Sequence, residues 1–398
     1  MKRRLISFKF IMTIAIIEIL CYMAVDMYLA SMTDIAAFFE TPYSKVQLSL
    51  TFYLFAMGVG QLFFGPIIDY FGRKIPLILG TSLYALCSFA ITTSSNIELF
   101  LLYRIIQGLG VALIYICLIS MVRDVSKGKV AAKIFAILIT IGAITPILAP
   151  AIGGYIDQVF GWKAVFYVLF ILAILVLILS LFILPETLKD EKKVIINFKN
   201  IFIIYFNIIK NMNFLIPAFA TCLMYMFIFG YISGASYSYK EIYNLDSKTF
   251  GLVFGATGSA LLFGALLSTK LLQIVNMKQI SIFGAAIIIF GSVVSFISSN
   301  ISVVGLDGIV IGFFISFFGL GLAEASLFAI AMSSQKTSVG ATAALLGSLQ
   351  LLLPATATLV AGYLVEISIF YWLGLLFILS ILAFIFTCKV FRIEKTQF

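Results

Sequence analysis

The chain has 398 residues, 63% of them hydrophobic and 11% charged, with 26 Lys and Arg against 17 Asp and Glu for a net charge of +9. Soluble domains carry about 25% charged residues, so a water-soluble globule is excluded. Histidine is absent, which removes imidazole from any catalytic, metal-ligating or proton-relay role and leaves carboxylates to move protons.

Apolar runs of roughly 20 residues, each long enough to cross a ~30 Å hydrocarbon layer as a helix, recur from end to end. The alternating ten-residue strands of a barrel are absent, and helices satisfy their own backbone hydrogen bonds in lipid. The pattern predicts an all-α integral membrane protein with twelve transmembrane helices, over 10–32, 46–68, 75–93, 99–121, 130–156, 165–184, 214–237, 250–272, 280–298, 303–332, 341–365 and 370–390. The first run follows MKRRLISFK, as a leader would. No small-residue cleavage site ends it and Asp26 interrupts it, so it is expected to stay as a helix.

All but five of the Lys and Arg residues fall at the two chain ends or in every second loop; the exceptions are Lys45, Arg104, Lys163, Lys240 and Lys248. By the positive-inside rule both termini and the basic loops are cytoplasmic. That asymmetry accounts for the net charge, and no nucleic-acid partner is expected. Cys21, Cys87, Cys117, Cys222 and Cys388 stand alone within helices, without metal or redox spacing. No metal or cofactor is expected.

The turn after the second span reads GPIIDYFGRK. Gly65 and Pro66 are expected to end the helix and Gly72 to let the chain reverse, which leaves Asp69, Arg73 and Lys74 in a tight cytoplasmic turn. Asp69 and Arg73 are four apart and can pair if the turn is helical. Asp124, at the cytoplasmic end of span four, can accept Arg73 from a second helix. Such a cluster would latch one side of the protein in one state and break in the other; the plainer reading makes Arg73 and Lys74 topological anchors. In span five, Pro146 and Pro150 share a face, while Gly142, Gly153 and Gly154 permit close packing of a neighbour. A sealed interface there would resist proton leak.

The segment LPETLKDEKKVIINFKNIFIIYFNIIKNMN, 184–213, is the longest loop and divides the spans six and six. It holds Lys189, Asp190, Glu191, Lys192 and Lys193, then an amphipathic stretch ending at Lys210 that is expected to lie on the cytoplasmic membrane surface. The expected units are an N-terminal six-helix bundle (1–185), a cytoplasmic linker (186–212) and a C-terminal six-helix bundle (213–398), the layout of transporters built from two parallel repeats. The halves echo weakly. Trp162 and Trp372 each open the sixth helix of their half, where an interfacial indole is expected. Gly264 answers Gly65, although Ser268 stands where the first half has Asp69.

Ionisable groups inside spans are costly and call for a reason. Glu18, Asp26, Arg104 and Glu324 are such groups. At ~1.5 Å per residue, Asp26 on span one and Arg104 on span four lie at matching depths, about 7–9 Å from the outer side, where they could pair or compete for one proton. Glu18 and Glu324 lie nearer the cytoplasm and face each other from opposite halves, a setting for a cationic or polar ligand. Tyr22, Tyr28, Tyr53, Tyr115 and Tyr225 are candidate cavity lining, since aromatic walls with one or two carboxylates favour lipophilic or cationic substrates.

Several of these stretches resemble one family. GPIIDYFGRK is similar to the cytoplasmic loop signature of the major facilitator superfamily, and RIIQGLG (Arg104, Gln107, Gly108, Gly110) to its fourth-helix motif associated with proton coupling. TPILAPAIGG resembles the fifth-helix motif of its antiporters, with Pro150, Gly153 and Gly154 in place and Ala149 where many relatives carry glycine. VDMYL, MVRD, GWK and LPETL further resemble the bicyclomycin-resistance (Bcr/CflA) group of the twelve-span drug:proton antiporters. Relatives usually follow DMYL with proline, whereas Ala30 and Ser31 stand here. The resemblance is dense in the first half and rests on layout in the second. It implies a monomeric inner-membrane exporter that expels small molecules by alternating access in exchange for protons, with no cofactor and the proton gradient as energy source. Asp26, Arg104 and Glu18 are then the proton-coupling candidates. The alternatives are a dedicated exporter of one metabolite such as a siderophore or amino acid, a proton-coupled importer, and a non-transporting sensor or scaffold.

Overall fold

The computed structural model describes residues 7–188, 198–301, 305–335 and 339–393. The described residues are all-helical, without strands. In chain order they form α1 (Phe8–Asp26), a 3-10 turn (Leu29–Ser31), α2 (Met32–Phe38), α3 (Tyr43–Phe71), α4 (Lys74–Thr92), α5 (Ile97–Val125), α6 (Gly128–Phe160) and α7 (Trp162–Phe182). Beyond a gap follow α8 (Phe198–Lys210), α9 (Met212–Tyr237) with a π turn (Ser238–Ile242), α10 (Ser247–Leu271), α11 (Met277–Ser298), α12 (Gly305–Ser333), α13 (Val339–Ile367) and α14 (Ile369–Ile393). Among the described residues twelve helices are long and apolar enough to cross a membrane, α1 and α2 counting as one and α8 falling outside the set.

Polar caps and glycines punctuate the helices. Ser7, Asn96, Asp246 and Asn276 each accept a backbone N–H in the first turn of the helix that follows. Gly72 ends α3 with φ +93°, a conformation open to glycine and costly for other residues. The second span therefore does not stop at Gly65. Pro66 lies inside α3, and a side chain at Gly65 would meet nothing within 4 Å. Gly264 is not its equivalent, because it packs tightly on the Phe318 carbonyl of α12.

Lipid offers no hydrophobic drive between helices, so close backbone approach does the work. Gly80 of α4 meets Gly110 of α5, and the pairs Gly284–Gly319 and Gly291–Gly312 join α11 to α12. The outward faces carry Phe182, Phe283, Phe290 and many other exposed apolar side chains, as a lipid-facing surface must. Both tryptophans are buried in protein. Trp162 packs among Phe38, Phe39, Phe100 and Phe166, while Trp372 is fully buried and its Nε1 donates to the Gly230 carbonyl at 2.9 Å. Ring packing and a backbone acceptor inside the protein hold them in place.

Lys189–Lys193 of the linker lie outside the described residues. The helix α8 packs Ile204, Tyr205 and Ile208 against Phe214, Ala218, Leu345 and Leu346, and turns Phe202, Ile203, Phe206 and Ile209 outward. The Tyr205 hydroxyl donates to the Leu62 carbonyl of α3 at 3.2 Å, and Lys210 lies over the Phe206 ring.

Candidate functional site

The two halves meet along two seams. Between α3 and α13, Ser348 donates to the Gly58 carbonyl at 2.8 Å, the hydroxyls of Thr51 and Thr358 share a 2.8 Å bond, and Gln47 packs on Gly362. Between α6 and α10 the contact is backbone to backbone. The Pro150 carbonyl abuts Gly251, the Ile147 carbonyl abuts Gly255, and Gly154 receives the Ser247 carbonyl. Gly153 faces the Met27 carbonyl of the first span. A methyl at Gly153, Gly154, Gly251 or Gly255 would collide with main chain, which cannot move aside as a flexible side chain can. The prolines suit this seam. Pro150 offers no N–H to the Pro146 carbonyl four residues earlier, and that oxygen lies 3.7 Å from where a Cβ on Gly258 would stand. The glycines of α10 had no assigned role in the sequence, yet the spacing Gly251-x-x-x-Gly255 is the small-residue pattern of a close helix crossing.

At one end of the first bundle sits the loop motif. The Arg73 guanidinium reaches Asp69 and Asp124 at 2.9 Å each and donates to the Ile68 carbonyl at 2.6 Å. The Glu186 carboxylate, from the stretch after α7, accepts the backbone N–H groups of Arg73, Lys74, Thr187 and Leu188 at 2.7–3.0 Å. Burial alone would push the Glu186 carboxyl up, but these donors outweigh it and hold it below its ordinary value. Lys74 Nζ donates to the Leu181 carbonyl, and Thr187 donates to Asp124. Every member belongs to the first six spans or to the stretch that directly follows α7. In this conformation the expected contacts of Arg73 with Asp69 and Asp124 are made, and the cluster braces one end of the first bundle. Glu186 was missed in the sequence, where LPETL served only as a family mark.

Deeper, Arg104 of α5 is fully buried with its guanidinium carbon 4.2 Å from the Tyr28 ring centroid and 4.3 Å from that of Tyr53. Its Nη1 donates to Gln107 Oε1 at 2.7 Å and to the Ala24 carbonyl at 3.3 Å, while Nε and Nη2 have no partner. Gln107 in turn donates to Ser88. Asp26 is buried and forms no ion pair among the described residues, so the Asp26–Arg104 pair is not made in this conformation. The reason is local. The guanidinium is held by two ring faces and by Gln107, and the carbonyl that it meets on α1 belongs to Ala24, about 200° around the helix from Asp26. Tyr28 and Tyr53 are likewise not cavity lining. Both are fully buried against Arg104, and the Tyr28 hydroxyl bonds to Ser49.

The remaining candidates do converge. Glu18 of α1, Tyr115 of α5, and Tyr225 of α9 with Glu324 of α12 stand within electrostatic reach of Tyr22 of α1 at the middle of the bundle pair. Tyr225 donates to Glu324 Oε1 at 2.5 Å. Glu18 is 3% exposed and its Oε2 has no partner. Gly142 of α6 admits the Tyr22 ring, whose hydroxyl lies 2.8 Å from where a Cβ would stand. The result is a centre walled by phenols, with one carboxylate from each half and no Lys or Arg paired to either among the described residues.

Two six-helix bundles joined in tandem, with polar groups concentrated between them, define a membrane transporter. The Major Facilitator Superfamily model matches residues 14–350, and the chain belongs to that family. It is similar to an uncharacterized MFS-type transporter of Bacillus subtilis, YdgK (31% identity over 88% of this chain and 87% of the relative). It is also similar to a bicyclomycin resistance protein homolog of Haemophilus influenzae (31%, 66% of each chain) and to the multidrug resistance protein MdtL of Shigella dysenteriae (36%, 41% and 42%). Among solved structures, the xylose transporter XylE from E. coli in a partially occluded inward-open conformation has the same fold, with TM-score 0.74 at 14% identity over 96% of this chain and 97% of that one. The protein is thus a multi-pass transporter of the bacterial inner membrane, and not an enzyme.

Proposed function

We propose that this transporter exports small lipophilic or cationic molecules in exchange for protons, as a monomer without a cofactor. The observation that carries the reading is the central pair of carboxylates, Glu18 and Glu324, one from each half, set among tyrosines with no paired cation. A cationic guest supplies the missing charge, and phenol rings add attraction for cations and flat apolar groups. The names of the resistance-protein relatives support a drug-like substrate range.

The cycle follows from placing the termini and the Arg73 loop in the cytoplasm. The seam Pro146–Gly154 against Ser247–Gly258 then closes the outer end, and the centre faces inward to collect substrate. Asp26 takes a proton from outside when that seam opens, and Arg104 moves toward it to expel the proton inward. The braced turn around Arg73 acts as a rigid handle for the rocking bundle. The test is proton release from purified, detergent-solubilised protein on addition of tetraphenylphosphonium. Release in the parent and its loss in Asp26→Asn support the reading; unchanged release in Asp26→Asn removes Asp26 from it.

A further inference from the structure

One charged cluster, at the end opposite the Arg73 loop, joins the two halves directly. Lys240, in the π turn after α9, belongs to the second half. Its ammonium donates to Asp34 Oδ2 at 2.6 Å, to the Ala30 carbonyl at 2.7 Å and to Ser247 Oγ at 2.7 Å, and lies 3.9 Å from Asp157 Oδ2. Asp34 of α2, Ala30 and Asp157 of α6 all belong to the first half. The ammonium is therefore the second half's charged anchor in a pocket made by the first. The side chains of Lys240 and Asp157 are 8% and 3% exposed, and Asp157 Oδ1 has no hydrogen-bond partner.

One ammonium serves two carboxylates here, and among the described residues the surroundings supply no second cation. Asp157 faces Asp34 and Lys240, with the Ser247 hydroxyl of α10 beside it. From α1, Asp26 lies next to Met27, whose carbonyl meets Gly153 one turn along α6 from Asp157. From α7, Lys163 is turned onto the rings of Phe38 and Trp162. From α5, Glu98 is held by Lys45. On α10, Lys248 is exposed beside Ser247.

We propose that Lys240, Asp34 and Asp157 form an inter-bundle charge lock, and that the carboxylate pair binds a proton from solution when the lock opens. The lock stands on its geometry; its role in the cycle rests on the proton-exchange reading. Parting the bundles at this end carries Lys240 away with the second half and leaves Asp34 and Asp157 together on the first. Two carboxylates side by side without a cation share one proton. The proton comes from bulk water, and Lys240 keeps its own. Opening thus binds a proton that closing must expel, so acid favours the open form.

The experiment reads the separation of this end directly. Ser95→Cys, between α4 and α5, and Asn300→Cys, after α11, are exposed, lie on opposite halves and are placed at this end. They are spin-labelled in full-length protein with the five native cysteines replaced, in nanodiscs without substrate or gradient. The long-distance population should rise at least about tenfold in Lys240→Ala, since a buried charge contact is lost. Asp34→Asn, at a half-exposed position, should shift the same way if Lys240→Ala fails to fold. The exchange Lys240→Asp with Asp34→Lys should restore the short distance. The parent's long-distance population should grow as pH falls, and Asp157→Asn should flatten that dependence. Distances unchanged in both single variants overturn the lock, and a pH dependence intact in Asp157→Asn overturns the proton site. Because no transport is measured, either failure is separate from failure of the exporter reading, which the proton-release assay decides.

Discussion

Replacing Arg73 with Ala removes three bonds at once, and they are not equal. The pair with Asp69 is half exposed and contributes less than about 1 kcal/mol. The Asp124 pair and the bond to the Ile68 carbonyl are largely buried and charge-assisted, each in the class worth about 1.5–3 kcal/mol. Because the carboxylate of Asp124 keeps its bond from Thr187 and the turn can relax, a net loss of about 2–4 kcal/mol is expected, roughly 30- to 1000-fold in the braced population. None of these groups touches the central carboxylates. Arg73→Ala should therefore depress turnover in vesicles while leaving substrate affinity of the purified protein within about threefold. A double-mutant cycle apportions the effect, with a larger coupling for Arg73–Asp124 than for Arg73–Asp69. Normal turnover in Arg73→Ala, or equal coupling of the two pairs, would refute the brace and return these charges to the role of topological anchors.

Other expectations follow from the same geometry. The Glu186 carboxyl is held below its ordinary value, so its bracing is complete above the normal carboxylate range and is lost as pH falls through the depressed value. Hydrogen exchange at the Arg73 and Lys74 amides should accelerate on that acid side, and Glu186→Gln should remove the step. Gly65→Ala adds a methyl into open space and gains helix propensity, so the melting temperature should hold or rise; a marked fall would contradict this packing. Gly251→Val should instead push Pro150 and Ala151 away, and cross-linking across the α6–α10 seam should drop. Glu18→Gln or Glu324→Gln should weaken binding of tetraphenylphosphonium more than that of a neutral analogue, and equal losses would argue against a charge-selective centre.

Much of this architecture was legible because lipid imposes a simple rule. A span must be apolar for about 20 residues, so the twelve helices and their approximate ends could be read from hydropathy alone. The Asp69–Arg73 contact was legible because residues four apart on a helix are neighbours, and Asp124 because it ends span four on the same side as the turn. What escaped depends on side-chain direction rather than depth. Asp26 and Arg104 share a level, yet the guanidinium is captured by Tyr28, Tyr53 and Gln107. Depth along a helix says nothing about azimuth. Lys240 was visible as an exception to the charge asymmetry, but its three partners lie up to 210 residues away, and no local pattern announces them.

The central claim is exchange of a guest for protons, and transport in proteoliposomes tests it most directly. Purified protein reconstituted in random orientation is loaded with tetraphenylphosphonium at equal concentration on both sides, and a pH gradient is imposed with the membrane potential clamped at zero. The account predicts net movement of the cation toward the acidic side, stopped by a protonophore and absent in Asp26→Asn. Movement that persists with the protonophore present, or that is undiminished in Asp26→Asn, would contradict it.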